Sequence, residues 1–289
     1  KISIKNTQKK MGDLHVHIGD VEKGSIKIGQ NVNLEINVKK RNDARAYHSA
    51  THLLHEALRR TLGKHVTQKG SLVSSEKLRF DFSHNKPIAK QEIDKIEKQV
   101  NQMIATSGDV KTRIMTPKEA VDNGALALFG EKYGDEVRVL SMGKDKEGFF
   151  STELCGGTHV KNTKEIGKFK ITSQSSIASG VRRIEALRDQ QLEEFEKSLK
   201  QDKSKKDTIL NNQIESITNE LKKLKITPNF NNKLELKENL KNLNNQLEKN
   251  KIKNIIKDKS KNIIKDIKTK GFILRYQTLT DFPSKELRN

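Results

Sequence analysis

Leu210, Ile214, Ile217, Leu221 and Leu224 recur at spacings of 4, 3, 4 and 3 residues, which aligns them along one face of a helix. Thr227-Pro228-Asn229 interrupts that helix, because proline lacks the amide hydrogen and its ring clashes with the preceding turn. Leu236, Leu240, Leu243 and Leu247 then resume the spacing. Two seams on either side of a proline break predict an antiparallel helical hairpin over residues 191–270, with a dimeric coil as the alternative.

The chain before residue 190 has a different period. Ile2, Ile4, Val16, Ile18, Val21, Ile26, Ile28, Val32, Leu34, Ile36 and Val38 alternate between Gly12, Gly19, Gly24 and Gly29. Short strands broken by glycine turns predict a small β-barrel-like segment over 1–40. From Asn42 or Asp43, a candidate cap, the pattern becomes helical as far as Leu62, with Gly63 as its stop. Leu72–Phe82 reads as strand, and Pro87 opens a second helix with Ile93, Ile96, Val100, Met103 and Ile104 on its apolar face. Lys111–Met115 reads as strand, followed by the capping box Thr116-Pro117-Lys118-Glu119. Further strands are expected at 136–142, 149–152 and 168–173. The fold class is therefore α+β: a mixed domain over 41–190, the helical hairpin, and the first strand of a further domain within 271–289. An apolar content of 33%, 4% aromatics, no Trp and a mean hydropathy of −0.78 suit a compact domain joined to an extended, solvated segment.

The formal net charge of +20 points to an anionic partner, nucleic acid or a membrane surface, although a lysine excess also follows from A/T-rich codons. The lysines between Lys251 and Lys270 read either as a solvated face or as an RNA contact. Cys155 is the single cysteine, so an internal disulfide is excluded and a thiol is left for metal or chemistry. No apolar run approaches a membrane span or signal peptide, and a soluble, cytoplasmic protein with no membrane partner is expected. The chain begins at Lys1 and is expected to be a piece of something longer.

His48-Ser-Ala-Thr-His52 places two imidazoles one turn apart on a helix face, where they can share a metal ion. His55, three residues on, could replace either. Far downstream, Cys155-Gly156-Gly157-Thr158-His159 is too glycine-rich for regular helix and suits a tight loop. Three imidazoles and a thiolate form a borderline-soft donor set suited to one Zn²⁺. The competing interpretation is a surface histidine pair and an inert buried cysteine. No Glu lies between His48 and His52, so this is not the zinc-protease motif.

These residues, with Gln68-Lys-Gly-Ser-Leu-Val, Leu78-Arg-Phe-Asp-Phe, Leu128-Phe-Gly-Glu-Lys-Tyr, Val139-Leu-Ser-Met-Gly and Gly180-Val-Arg-Arg-Ile-Glu-Ala, resemble the editing domain of alanyl-tRNA synthetase and the helical region after it. The resemblance covers nearly the whole chain. The histidine–cysteine core also occurs, more loosely, in threonyl-tRNA synthetase and in free-standing editing proteins. It implies zinc bound by His48, His52, Cys155 and His159, tRNA(Ala) as partner, and hydrolysis of Ser-tRNA(Ala) and Gly-tRNA(Ala). It also implies that the strand from Gly271 opens a C-terminal tRNA-binding domain, through which the parent could dimerise. No stretch resembles the class II ATP motif, so ATP-dependent aminoacylation is expected of the parent only.

The chemistry gives other residues candidate roles. An alanine pocket rejects serine by only about 10²-fold, so a second, hydrolytic site is needed. Thr51 can bond the serine hydroxyl or a water, or simply pack its helix. Gln68 can orient the substrate, or be a turn amide. The amides of Gly156 and Gly157 can form a nest for an oxyanion. Arg182 and Arg183 are candidate tRNA phosphate contacts, unless one is an ion pair with Glu185. His15 and His17 are read as structural. A non-enzymatic tRNA-binding module with structural zinc and a free-standing trans-editing protein are the alternatives.

Overall fold

Asn37 starts the helix on which the first half of the chain is built. In the computed structural model, which describes residues 1–12, 14–126, 134–146, 148–257 and 262–279, its side chain accepts from the Lys40 amide at 3.0 Å. Helix α1 (Val38–Leu62) follows and ends at Gly63. The start is a turn earlier than expected because Asp43 is used elsewhere: it accepts from Arg188 Nη1 at 2.9 Å.

The chain divides into two units, Lys1–Arg188 and Asp189–Asn289. In the first, β1 (Ile2–Lys10) and β2 (Leu14–Val21) form an antiparallel hairpin with largely exposed side chains. The α+β class holds, but the first 40 residues do not close a barrel. Val32, Leu34 and Ile36 alternate in sequence yet lie outside any strand, so the hairpin has no third strand to pair with.

The expected strand Leu72–Phe82 is two strands, β3 (Gln68–Val73) and β4 (Leu78–Ser83). Ser74 makes the turn between them, its Oγ accepting from the amides of Glu76 and Lys77, each at 3.1 Å. Helix α2 (Lys90–Ala105) begins where Glu92 accepts from the Ala89 amide at 2.7 Å, three residues beyond Pro87. Strand β5 (Lys111–Met115) leads through the capping box at Thr116 into α3 (Pro117–Asp122). Strands β6 (Val137–Asp145) and β7 (Gly148–Leu154) complete an antiparallel sheet of order β5-β6-β7. Strands β8 (Phe169–Ala178) and β9 (Val181–Arg188) join β3 and β4 in a second sheet of order β3-β4-β9-β8. The motif Leu128–Tyr133 lies outside the described residues.

One apolar cluster ties these layers together. Ala46, Ala50, Leu53, Leu54, Ala57 and Leu58 of α1 meet Ile96 and Val100 of α2, Phe80 and Phe82 of β4, and Leu140 and Met142 of β6, all essentially without exposure. In the β4–β9 register Phe80 faces Ile184, and the next pair is Asp81 with Arg183. Arg183 grips Asp81 with two bonds, of 2.7 and 2.8 Å. The partner is thus Asp81; Glu185 instead takes Lys77 at 2.8 Å.

In the second unit, α4 (Asp189–Lys223) and α5 (Leu236–Lys257) pack through Ile214, Leu221, Leu243 and Leu247. The heptad seams therefore form the expected helical hairpin. Buried Asn239 secures its loop by bonds to the backbone of Asn231 and Leu234. Strands β10 (Asn262–Thr269) and β11 (Phe272–Leu279) pair around Gly271. Only β11 was expected; the lysines of the preceding stretch hid the β-branched residues of β10. Among the described residues no helix is long and apolar enough to cross a membrane.

Two outcomes follow. Leu54→Ala removes a fully buried side chain and should cost about 2–5 kcal/mol in urea unfolding. Hydrogen bonds from Arg183 outweigh burial and hold the Asp81 carboxyl below its usual 3.8. That contribution is complete above pH 3.8 and is lost as the pH falls through the lowered folded value, so acid titration of Asp81→Asn should show a shallower loss of stability below 3.8.

Candidate metal centre and substrate pocket

His48 and His52 lie one turn apart on α1, and Cys155 and His159 on the loop that leaves β7. The fold brings these four together: their donor atoms all lie within 4.8 Å of one another. Cys155 Sγ is 3.6 Å from His48 Nε2 and 3.3 Å from His159 Nε2. A tetrahedral ion with Zn–N of about 2.0 Å and Zn–S of about 2.3 Å requires an N–S edge of about 3.5 Å. The donor set and its spacing therefore fit zinc.

Local bonds aim the donors. Ser49 Oγ donates to the Arg45 carbonyl at 2.9 Å, so it receives the Val160 amide at 3.2 Å and His159 Nδ1 at 3.3 Å. Protonated on Nδ1, the His159 ring presents a bare Nε2 to Cys155. Among the described residues, buried His52 Nε2 has no hydrogen-bond partner, a cost that a bound ion would remove. The loop is fastened to β6, with the Cys155 amide donating to the Arg138 carbonyl at 3.0 Å and Arg138 Nη1 donating to the Gly157 carbonyl at 2.5 Å.

The electrostatics favour a thiolate. Burial would raise the Cys155 pKa, but the surrounding imidazoles of His159, His48 and His52 outweigh it and bring it down to about 3. Burial likewise pushes the His159 imidazolium down, and Cys155 only partly restores it. Burial would lower His52 too, yet the Glu153 carboxylate overcomes this and raises it.

A small cavity of about 130 Å³ opens beside the cluster, lined by His48, Thr51, His52, Gln68, Ser71 and Glu153 among others. Thr51 Oγ1 donates to the Tyr47 carbonyl at 2.9 Å, so its hydrogen is used within the helix and its lone pairs are left for a ligand. Gln68 reaches the same cavity from β3. The two glycines differ. A Cβ on Gly157 would lie 2.3 Å from His48 Cε1, whereas one on Gly156 would meet nothing within 4 Å. Arg182 donates to Gln174 Oε1 at 3.2 Å, and Arg183 is committed to Asp81.

His55 is not a member of the cluster. It stands seven residues from His48, about 10 Å along the helix, and its Nδ1 bonds Glu153 Oε1 at 3.2 Å. The other Glu153 oxygen takes His52 Nδ1 at 2.9 Å. Sequence reasoning missed Glu153, Ser49 and Ser71. A signal for Glu153 existed: it lies two residues before Cys155 in an extended strand, hence on the same face.

Gly157→Ala should drive the new methyl into the His48 ring and lower zinc affinity, while Gly156→Ala should leave it unchanged; competition with a chromophoric chelator measures both.

The geometry agrees with comparisons to known proteins. Residues 137–185, which include Cys155 and His159, match the family described as "Threonyl and Alanyl tRNA synthetase second additional domain". The chain is 58% identical over 185 residues to an alanine–tRNA ligase of Parvibaculum lavamentivorans, covering 63% of this chain and 21% of that protein. It is 54% identical over 190 residues to an alanine–tRNA ligase of Granulibacter bethesdensis, covering 65% and 22%. For that of Sphingopyxis alaskensis the identity is 56% over 187 residues, covering 65% and 21%. The chain thus spans only about a fifth of the length of these relatives. Over the matched span, this chain is similar to a part of these alanine–tRNA ligases.

Proposed function

We propose that the first unit is the editing hydrolase of an alanyl-tRNA synthetase, and that it cleaves the ester joining serine or glycine to tRNA(Ala). The observation that carries this reading is the convergence of His48, His52, Cys155 and His159, with the first three of them lining a small cavity. A cavity of about 130 Å³ admits a small aminoacyl group and little more. Thr51, Gln68 and Ser71 in its lining can meet the hydroxyl of serine, a substrate that an alanine-charging site excludes poorly.

His48, His52, Cys155 and His159 would hold one zinc ion. When bound there, zinc supplies a fixed positive charge that orients and polarises the aminoacyl group. Thr51 offers lone pairs to the serine hydroxyl. Gln68 carries both a donor and an acceptor, and so can fix the amino-acid end against the ribose. The Gly156 and Gly157 amides are the proposed donors to the oxyanion that develops during ester cleavage. Arg182 contacts a phosphate near the tRNA end, and Arg183 supports it through the strand that it pins to β4.

Four protein donors fill a tetrahedral shell, which favours a second reading: a structural zinc in a tRNA-binding module without hydrolysis. Deacylation of Ser-tRNA(Ala) by the full chain separates the two. The editing reading expects release of serine that falls to the spontaneous rate in Cys155→Ala and after chelation, with the thermal unfolding of the Cys155→Ala protein still cooperative. The structural reading expects no release by the intact chain. For Arg182→Ala, tRNA binding should weaken for all sequences, with the salt slope reduced by about 1.

A further inference from the structure

Glu153 occupies an unusual position for a carboxylate. It is 8% exposed and lies near the end of β7. Among the described residues its partners are two imidazoles and a hydroxyl, with no arginine or lysine. Oε2 takes His52 Nδ1 at 2.9 Å, and Oε1 takes His55 Nδ1 at 3.2 Å and Ser151 Oγ at 3.3 Å. Both rings come from α1, where they are three residues apart on adjacent turns.

The bond to His52 has a consequence. A carboxylate can only accept, so His52 must carry its hydrogen on Nδ1. In the neutral ring, the form that can bind a metal ion, Nε2 is then the bare atom, and it is the same buried atom that has no partner among the described residues. His55 is held in the same way. Its ring is buried against Phe80, at 5.1 Å between centroids, and its Nε2 also has no partner among the described residues. His55 takes no place among the four donors, so its work is done through Nδ1.

We propose that Glu153 is a positioning residue that fixes the tautomer and ring angle of His52, and that His55 anchors Glu153 by occupying its second oxygen. This deepens the metal-centre reading and rests on it. A hydrogen-bonded carboxylate behind a ligating imidazole raises its basicity and holds its lone pair on the ion. With Oε1 left to the longer Ser151 bond alone in a buried site, the carboxylate would turn away from His52 to find another donor. The anchor need only be a donor of similar reach, so an amide should replace the imidazole.

The test is zinc affinity of the full 289-residue chain, by chelator competition, in Glu153→Gln, His55→Phe, His55→Asn and His48→Ala. Glu153→Gln keeps shape but presents an NH₂ to one of the two rings, and should lose about 10–100-fold in affinity. His55→Phe should fall by a similar factor, and His55→Asn should stay within about threefold of the wild type. Circular dichroism and a cooperative melt establish that each variant is folded. Wild-type affinity in Glu153→Gln, or equal losses in His55→Phe and His55→Asn, would overturn the proposal. His48→Ala reports on the reading beneath it: wild-type affinity there removes the metal site itself, whereas loss there with an unaffected Glu153→Gln removes only the positioning role.

Discussion

The site depends on the close approach of the His48 ring to Gly157, where a Cβ would lie 2.3 Å from His48 Cε1. The helix can set two imidazoles a turn apart with no help from the rest of the chain. The thiolate and third imidazole arrive from a loop 107 positions further on, and must close to 3.6 Å from His48. A side chain at Gly157 would occupy the space of that ring. The apolar cluster under α1, the two sheets and the Arg138 clasp all hold that distance. Because the donors are assembled only by folding, ion binding and folding are thermodynamically linked here.

Buried and part-buried polar contacts beside the donors restrict His159 and His52 each to one orientation. Ser49 accepts from His159 and Val160, and Glu153 accepts from His52 and His55. These groups are expensive to bury unless paired, and their pairing leaves unmatched the atoms that point at the common centre. The same region offers Thr51 and Gln68 to a ligand. Charge is kept local: one thiolate and one carboxylate stand among four imidazoles, in a chain whose net charge is +20.

Much of this was legible from residue order. The spacing of His48 and His52 and the glycines after Cys155 announced the donor set. The 4-3 leucine spacing announced the helical hairpin, and Thr116-Pro117 the start of α3. What escaped had definite causes. Alternation over 1–40 suggested closure, but alternation reports strand character and not the number of partners, and here only two strands pair. Ser74 hid a turn inside what reads as one apolar strand. Asp43 resembled a cap, yet Arg188, far away in sequence, had claimed it. Arg183 was offered Glu185 by proximity in sequence; the sheet register gave it Asp81. Glu153 carried a periodic signal, but a lone glutamate near a cysteine has many uses until its two histidine partners are placed around it.

The central claim is that three imidazoles and one thiolate share a single ion. X-ray absorption at the zinc edge of the metal-loaded chain tests it most directly. The account predicts one sulfur at about 2.3 Å and three nitrogens at about 2.0 Å, with the sulfur shell lost in Cys155→Ser. A shell of oxygen and nitrogen alone in the wild-type protein, or a sulfur shell that survives the Cys155→Ser change, would contradict it.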